Sequence, residues 1–202
     1  MSRRFGLTTT HHPTIVISKK NLWPAVTIGV LLVATAIELR WQGRLWSCTC
    51  ANFFWTANAW SSLTSQLLFD PYSFTHLLHG VMFCGVIYLA FRRITVEWGL
   101  VVAIAIECAW EIIENTNTVI DRYRTATAAL GYQGDSVMNS FGDIIACGVG
   151  FMLAAKIGWR WSLILFFGVE AVLVLWLRDS LLLEILMLVH PVGAIKDWQM
   201  AR

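Results

Sequence analysis

Long apolar runs separated by short polar stretches dominate the chain. They cover residues 23–39, 74–91, 94–114, 137–157 and 161–177, and a sixth, at 180–195, is short and broken by Pro191. At about 1.5 Å per residue the first five are long enough to cross a bilayer. Lipid offers the backbone no hydrogen-bond partner, so each run predicts a helix. The expected fold is all-α: a polytopic transmembrane helix bundle of five membrane helices plus a sixth short or tilted one. Residues 1–22 form a cytoplasmic tail. Residues 23–195 form a single bundle with outer loops at 41–73 and 115–136, and 196–202 a C-terminal tail. The loop at 41–73, rich in Trp, Ser and Asn, reads as a structured cap or an interfacial segment. The loop at 115–136 reads as polar, with a turn at Gly131-Tyr132-Gln133-Gly134.

Composition agrees. Apolar residues make up 57% and charged residues 14%, against about 25% charged in soluble domains, which leaves no room for a separate soluble domain. The eleven tryptophans suit interfacial anchoring. A net charge of +2 with no basic stripe argues against nucleic acid. Lys and Arg set the orientation. With the N-terminus cytoplasmic, Arg3, Arg4, Lys19, Lys20, Arg92, Arg93, Lys156 and Arg160 lie inside, joined by Lys196 and Arg202 if the sixth run crosses. Arg40, Arg44, Arg122, Arg124 and Arg178 lie outside. A crossing sixth run puts both termini in the cytoplasm. Arg3-Arg4 and the small residues Ala34-Thr35-Ala36 resemble a cleaved export signal, but the apolar run starts late and Glu38-Leu39-Arg40-Trp41 follows it, so no cleavage is expected. Cys84, Cys108 and Cys147 fall in apolar runs and act as small hydrophobes. Cys48 and Cys50 form a loop pair, either unpaired, oxidised or in contact with a metal.

One apolar run changes the picture. Glu107, Glu111 and Glu114 are spaced i, i+4, i+7 inside it and share an arc of about 60° on one helix face. Each carboxylate near a bilayer centre costs ~2.5–3.5 kcal/mol on insertion scales. Three on one stripe need protons, cations or a metal. The neighbouring helices offer partners. His76 and His79 share a face at the start of the second helix, with Asp70 just before it. Asp135, Asn139 and Asp143 form an i, i+4, i+8 stripe on the fourth. In the alternating topology all three stripes reach the same outer half.

Two imidazoles with several carboxylates suit a divalent ion such as Zn, Mn or Fe. The reading places the metal on His76, His79, Glu114 and Asp135 or Asp143. Glu111 is then base or ligand, Glu107 a buried proton partner, and Asn139 and Asp70 support the site. Each group also has a plainer reading: interfacial histidines bonded to Asp70, helix-end acids facing water, an interhelical Asn139–Asp143 bond. Glu170 and Glu184 lie deep in the last two runs, paired with Arg178 or protonated.

Trp46-Ser47-Cys48-Thr49-Cys50, Ser65-Gln66, the stretch from Asp70 to Gly80, Glu111-Ile112-Ile113-Glu114-Asn115 and the stretch from Tyr132 to Ser140 resemble an uncharacterised inner-membrane family found mainly in alphaproteobacteria. The resemblance implies a multi-pass fold in the bacterial inner membrane and imports no activity. The combination of a His, three spaced glutamates and an Asp/Asn helix is similar, as a pattern only, to VanZ-like membrane proteins. The leading expectation is an inner-membrane protein with a His/Glu/Asp site opening to the periplasmic side, performing metal-assisted hydrolysis or transfer on a lipid or lipid-linked substrate. The rivals are a proton- or ion-coupled carrier or small-solute transporter, and a non-enzymatic assembly partner in a membrane complex.

Overall fold

The structure is a computed structural model that describes residues 21–50, 53–129 and 131–201. Residues 1–20 of the expected cytoplasmic tail, with Arg3, Arg4, Lys19 and Lys20, fall outside the described residues. Among those described the fold is all-helical: α1 (Trp23–Trp41), α2 (Ser73–Ala90), α3 (Val96–Glu114), α4 (Asn117–Ala126), α5 (Val137–Ile157), α6 (Trp159–Leu177), α7 (Leu181–Val189) and α8 (Gly193–Met200). Four of them, α1, α2, α5 and α6, are long and apolar enough to cross a membrane. α3 matches them in length but carries Glu97, Glu107, Glu111 and Glu114.

The local signals explain the boundaries. Pro24 sits in the first turn of α1, where its missing N–H costs nothing. Thr95, Thr116, Ser136 and Ser180 cap α3, α4, α5 and α7, each side chain accepting from a first-turn amide. Between α5 and α6 the chain turns on Gly158, whose φ of 79° suits glycine.

Two elements differ from the sequence reading. The polar loop at 115–136 contains a ten-residue helix, α4. Its buried residues Ile120, Tyr123 and Ala126 recur every third position, a stripe too narrow to register as an apolar run. The sixth run is split into two short helices, neither long enough by itself to cross a membrane. α7 has nine residues, about 14 Å of helix, roughly half a hydrocarbon layer. It ends before Pro191, and α8 follows. Lys196 Nζ donates to Thr125 O at 2.6 Å, and Arg178 Nη1 donates to Trp198 O and Ala201 O. The C-terminal segment therefore stays at the α4 end of the bundle. Lys196 accordingly lies at the α4 end, beside Thr125.

α2 packs most extensively on α5, and α3 packs against both. The α2–α5 contact is backbone-close. A Cβ at Gly80 would collide with the Cys147 carbonyl, and one at Gly150 with the Leu77 carbonyl. Away from α4, the space between the three helices is filled by Val81, Cys84 and Ile87 of α2, Ala103 of α3, and Phe151 and Ala154 of α5. α1 covers α3, with Ile28, Leu31 and Leu32 against Ile104 and Cys108. α6 covers α2, with Leu173 and Leu177 against Leu78. The outward faces of α1 and α6 are apolar and exposed, at Val30, Val33 and Ile37 and at Ile164, Phe167 and Leu175. Exposed Trp23, Trp41, Trp159 and Trp161 ring the helix ends, as interfacial tryptophans do.

The stretch between α1 and α2 is a folded cap, as the sequence suggests. Leu68 N and Phe69 N donate to Phe53 O and Phe54 O at 2.8 and 2.9 Å. Cys48 and Cys50 form a disulfide within it. The cap also serves α5. Ser136 N, Val137 N and Met138 N donate to Ser65 O, Leu45 O and Trp46 O at 2.8–3.0 Å. Ser136 Oγ donates to Gln66 O, and Asn139 Nδ2 to Leu67 O. The amides at a helix start, which the helix itself leaves unbonded, are thus satisfied by a segment about 70 residues earlier.

Candidate functional site

The site lies at the α4 end, where the first turns of α2 and α5 meet the last turns of α3. His76 Nδ1 lies 2.5 Å from Glu107 Oε1 and 3.4 Å from Glu111 Oε1. His79 Nδ1 lies 3.1 Å from Glu107 Oε2. On its other side His76 Nε2 is 3.9 Å from Asp143 Oδ2, and Ser73 Oγ donates to Asp143 Oδ1 at 2.7 Å. The two imidazoles meet edge to face, with centroids 5.1 Å apart. His76, His79, Glu107, Glu111, Glu114 and Asp143 are all buried. Two sets of candidate ligand atoms, His76/His79/Glu107 and His76/Glu111/Glu114, each lie within 4.8 Å of one another.

The residues flanking this cluster have a different character. Asp70 accepts from Ser65 N at 2.6 Å, Tyr72 N at 2.8 Å and Asn139 Nδ2 at 3.4 Å. Burial pushes its carboxyl above the usual range, opposed by the two backbone donors. Asp135 accepts from Asn115 Nδ2 at 2.8 Å and Tyr132 OH at 2.9 Å, while its own N–H donates to Asn115 Oδ1 at 2.7 Å. It too is pushed up by burial, and these donors pull the other way. Burial and the neighbouring carboxylates push the Tyr123 and Tyr132 hydroxyls up, so both remain neutral donors.

The predicted residues therefore converge, but in another order. Glu107, expected to be a proton partner, sits between the two imidazoles. Glu111 and Glu114 form the second set with His76. Asp135 is held at the rim by Asn115 and Tyr132, and Asp70 and Asn139 tie the cap to α5 (Asn139 to Asp70 rather than to Asp143). Glu170 does not pair with Arg178. Its Oε2 accepts from Leu182 N at 3.3 Å at the start of α7. The disulfide removes Cys48 and Cys50 as metal ligands. Asn115, Ser73, Tyr123 and Tyr132 received no role from the sequence. Asn115 follows directly on the glutamate stripe, but only the tertiary fold shows that it clamps Asp135.

Glu111 is the outlier. It is 0% exposed, and neither carboxylate oxygen has a hydrogen-bond partner among the described residues. Glu114 Oε2 is likewise buried and unpartnered. The cluster borders a cavity of about 270 Å³ whose wall includes Asp70, His76, His79, Glu114, Asp135 and Asp143. Carboxylates outnumber imidazoles, and no lysine or arginine is among the described residues lining it. Such a donor set suits a divalent cation.

A family model described as "Protein of unknown function (DUF2585)" matches residues 39–201. A UPF0314 protein of Paracoccus denitrificans is 38% identical, over 94% of this chain and 98% of its own length. UPF0314 proteins of Rhizobium meliloti and Sphingopyxis alaskensis are each 40% identical, over 88% and 91% of this chain and 90% and 96% of theirs. No solved structure matches. The chain belongs to this uncharacterised alphaproteobacterial family.

Proposed function

We propose that this UPF0314-family chain is a metal-dependent enzyme of the bacterial inner membrane, hydrolysing or transferring a group on a lipid or lipid-linked substrate. α3 is the fifth membrane helix, its glutamates turned into the bundle. The N-terminus is cytoplasmic, and the cavity opens on the periplasmic side. His76, His79, Glu107 and Glu111 hold a divalent ion, Zn, Mn or Fe, with Glu114 in reach of the same centre. When bound, such an ion would supply Lewis acidity, bringing the pKa of a water to ~7 and polarising a phosphoryl or carbonyl oxygen. Asp143, fixed by Ser73, orients His76 from behind. The unengaged oxygen of Glu111 is positioned to take a proton from the attacking water.

Glu111 carries this reading. A buried ionised carboxylate without hydrogen-bond donors costs several kcal/mol in a dry interior, and this one has only the His76 imidazole at 3.4 Å, with Glu114 adding a second acid to the same set. A cation among them removes that cost. The carrier alternative needs acids that continue to the other face. The apolar residues between the far halves of α2, α3 and α5 close that route, and Glu170 is engaged at the start of α7. A cavity bordered by these groups also argues for chemistry over a purely structural assembly role.

The test is metal content. Protein purified from metal-sufficient cells should hold a stoichiometric divalent ion that the His76→Ala/His79→Ala double variant lacks. Native protein without stoichiometric metal ends the metalloenzyme reading. Glu170→Gln should leave cellular function intact while Glu111→Gln abolishes it; equal impairment would favour transport.

A further inference from the structure

The cavity has a second wall, unlike the first. It is made by Met82 and Phe83 of α2, Ile106 and Trp110 of α3, and Ile185 and Leu188 of α7. Met82, Ile106 and Ile185 line the cavity and are also exposed on the protein surface, at 36%, 42% and 44%. Side chains that do both form the rim of an opening. Met82 and Ile106 lie near the midpoints of helices 73–90 and 96–114. An opening at that height faces hydrocarbon, not water or head groups. α7 leaves the gap because it is anchored elsewhere. Arg122 of α4 donates to Leu188 O and Val189 O, and Leu181 packs on Leu173 and Leu177 of α6.

The charge of the interior narrows what can enter. Glu114, Asp135, Asp143 and Glu184 line it without a lysine or arginine among the described lining residues. Glu114 is 8% exposed, and its Oε2 has no hydrogen-bond partner. Tyr123 adds an aromatic wall beside it. An anionic group bound there would meet carboxylates that outnumber the two lining imidazoles, His76 and His79. The Tyr123 hydroxyl already engages the Glu114 carboxyl; an ammonium would supply a donor for Oε2, which has none among the described residues, and find an aromatic face alongside.

We propose that the cavity takes an amphiphile with an amine-bearing head group, which enters sideways from the hydrocarbon between α2, α3 and α7 and presents its ammonium to Glu114. The chain lies against Phe83, Trp110 and Leu188 and leaves past Met82, Ile106 and Ile185. The cavity volume holds the head group and the start of the chain; the rest stays in the bilayer. The inference rests on the reading above only in placing α2 and α3 in the membrane. It needs no metal.

The experiment uses the full-length protein in nanodiscs, stripped of metal by a chelator. Two probes share one fluorescently tagged hexadecyl chain, one ending in a primary ammonium and the other in a carboxylate. Ethylammonium supplies the head without the chain. The ammonium probe should bind about tenfold more tightly than the carboxylate probe, and Glu114→Gln and Glu184→Gln should each shrink that preference. Ethylammonium should not compete. Ile106→Trp, at the rim, should slow association of the ammonium probe. Equal binding of the two probes, or a preference for the carboxylate, overturns the assignment of the head group. An unchanged association rate in both Ile106→Trp and Ile185→Trp overturns the lateral route. Because every arm is metal-free, failure here is separable from failure of the metal centre, which is read from metal content alone.

Discussion

The same three helices behave in opposite ways at their two ends. Away from α4, α2, α3 and α5 contribute Val81, Ile87, Ala103, Phe151 and Ala154, and every contact is apolar. At the α4 end they contribute His76, His79, Glu107, Glu111 and Asp143, and two buried glutamates retain oxygens without partners. Helix geometry and close backbone approach are common to both ends: Gly80 and Gly150 press α2 against α5 between them. The apolar end is a scaffold whose stability is its purpose. The polar end leaves Glu111 and Glu114 with bonding capacity that no described residue uses, which is how it differs from the core.

Substitutions should separate the two ends. The largest effect belongs to the scaffold. Phe151 is fully buried, and Phe151→Ala should destabilise the protein by ~3–5 kcal/mol. Thermal unfolding of the purified protein measures this, and the fraction that remains folded should still bind metal. A loss below ~1 kcal/mol would deny the apolar end its role.

Next comes the rim. Asn115→Ala removes both bonds to Asp135 and leaves a buried carboxyl short of a donor, at a cost of ~1–3 kcal/mol. Asn115→Asp should do no better, since it sets two acids face to face.

A smaller effect of opposite sign is expected at the centre. In metal-free protein Glu111→Gln removes a buried carboxyl that has no hydrogen-bond donor among the described residues and only a long contact to His76, and should leave stability unchanged or raise it by ~1 kcal/mol. The same variant should lose most of the thermal stabilisation that added metal gives the wild type. Destabilisation of the metal-free protein would mean that Glu111 is already satisfied.

The smallest effect is in pH. Asp70 and Asp135 have folded pKa values raised by burial. The folded state then holds protons that the unfolded state releases above about pH 4, so their contribution declines as pH rises through the folded values. Metal-free protein should melt at a higher temperature in mildly acidic than in neutral buffer, and Asp135→Asn should flatten that slope.

Much of this contrast was legible in the sequence, because lipid makes long apolar runs unmistakable and makes acids within them conspicuous. The helices α1, α2, α3, α5 and α6 follow from run length, and the convergence of His76, His79, Glu111 and Asp143 follows from helical spacing plus alternating topology. Other features depend on tertiary contacts. α4 is short and polar on most of its surface, so its three-residue stripe disappears beside the spans. Spacing places Glu107 on the right face but cannot show that it reaches both imidazoles ahead of Glu114. The split of the last run into two short helices, α7 and α8, depends on how the chain packs after Pro191, which run length does not record.

The stitching of the cap to the start of α5 also orders events in time. Leu45, Trp46, Ser65, Gln66 and Leu67 receive their bonds from Ser136, Val137, Met138 and Asn139, so a nascent chain carries its imidazoles for some 60 residues, and its glutamates for about 30, before their enclosure can close. Until α5 leaves the ribosome, those groups must wait in the insertion machinery or at the lipid surface. The cavity is therefore among the last features completed during biogenesis. Any chain arrested before residue 139 should be retained by membrane quality control rather than accumulate as a partial bundle.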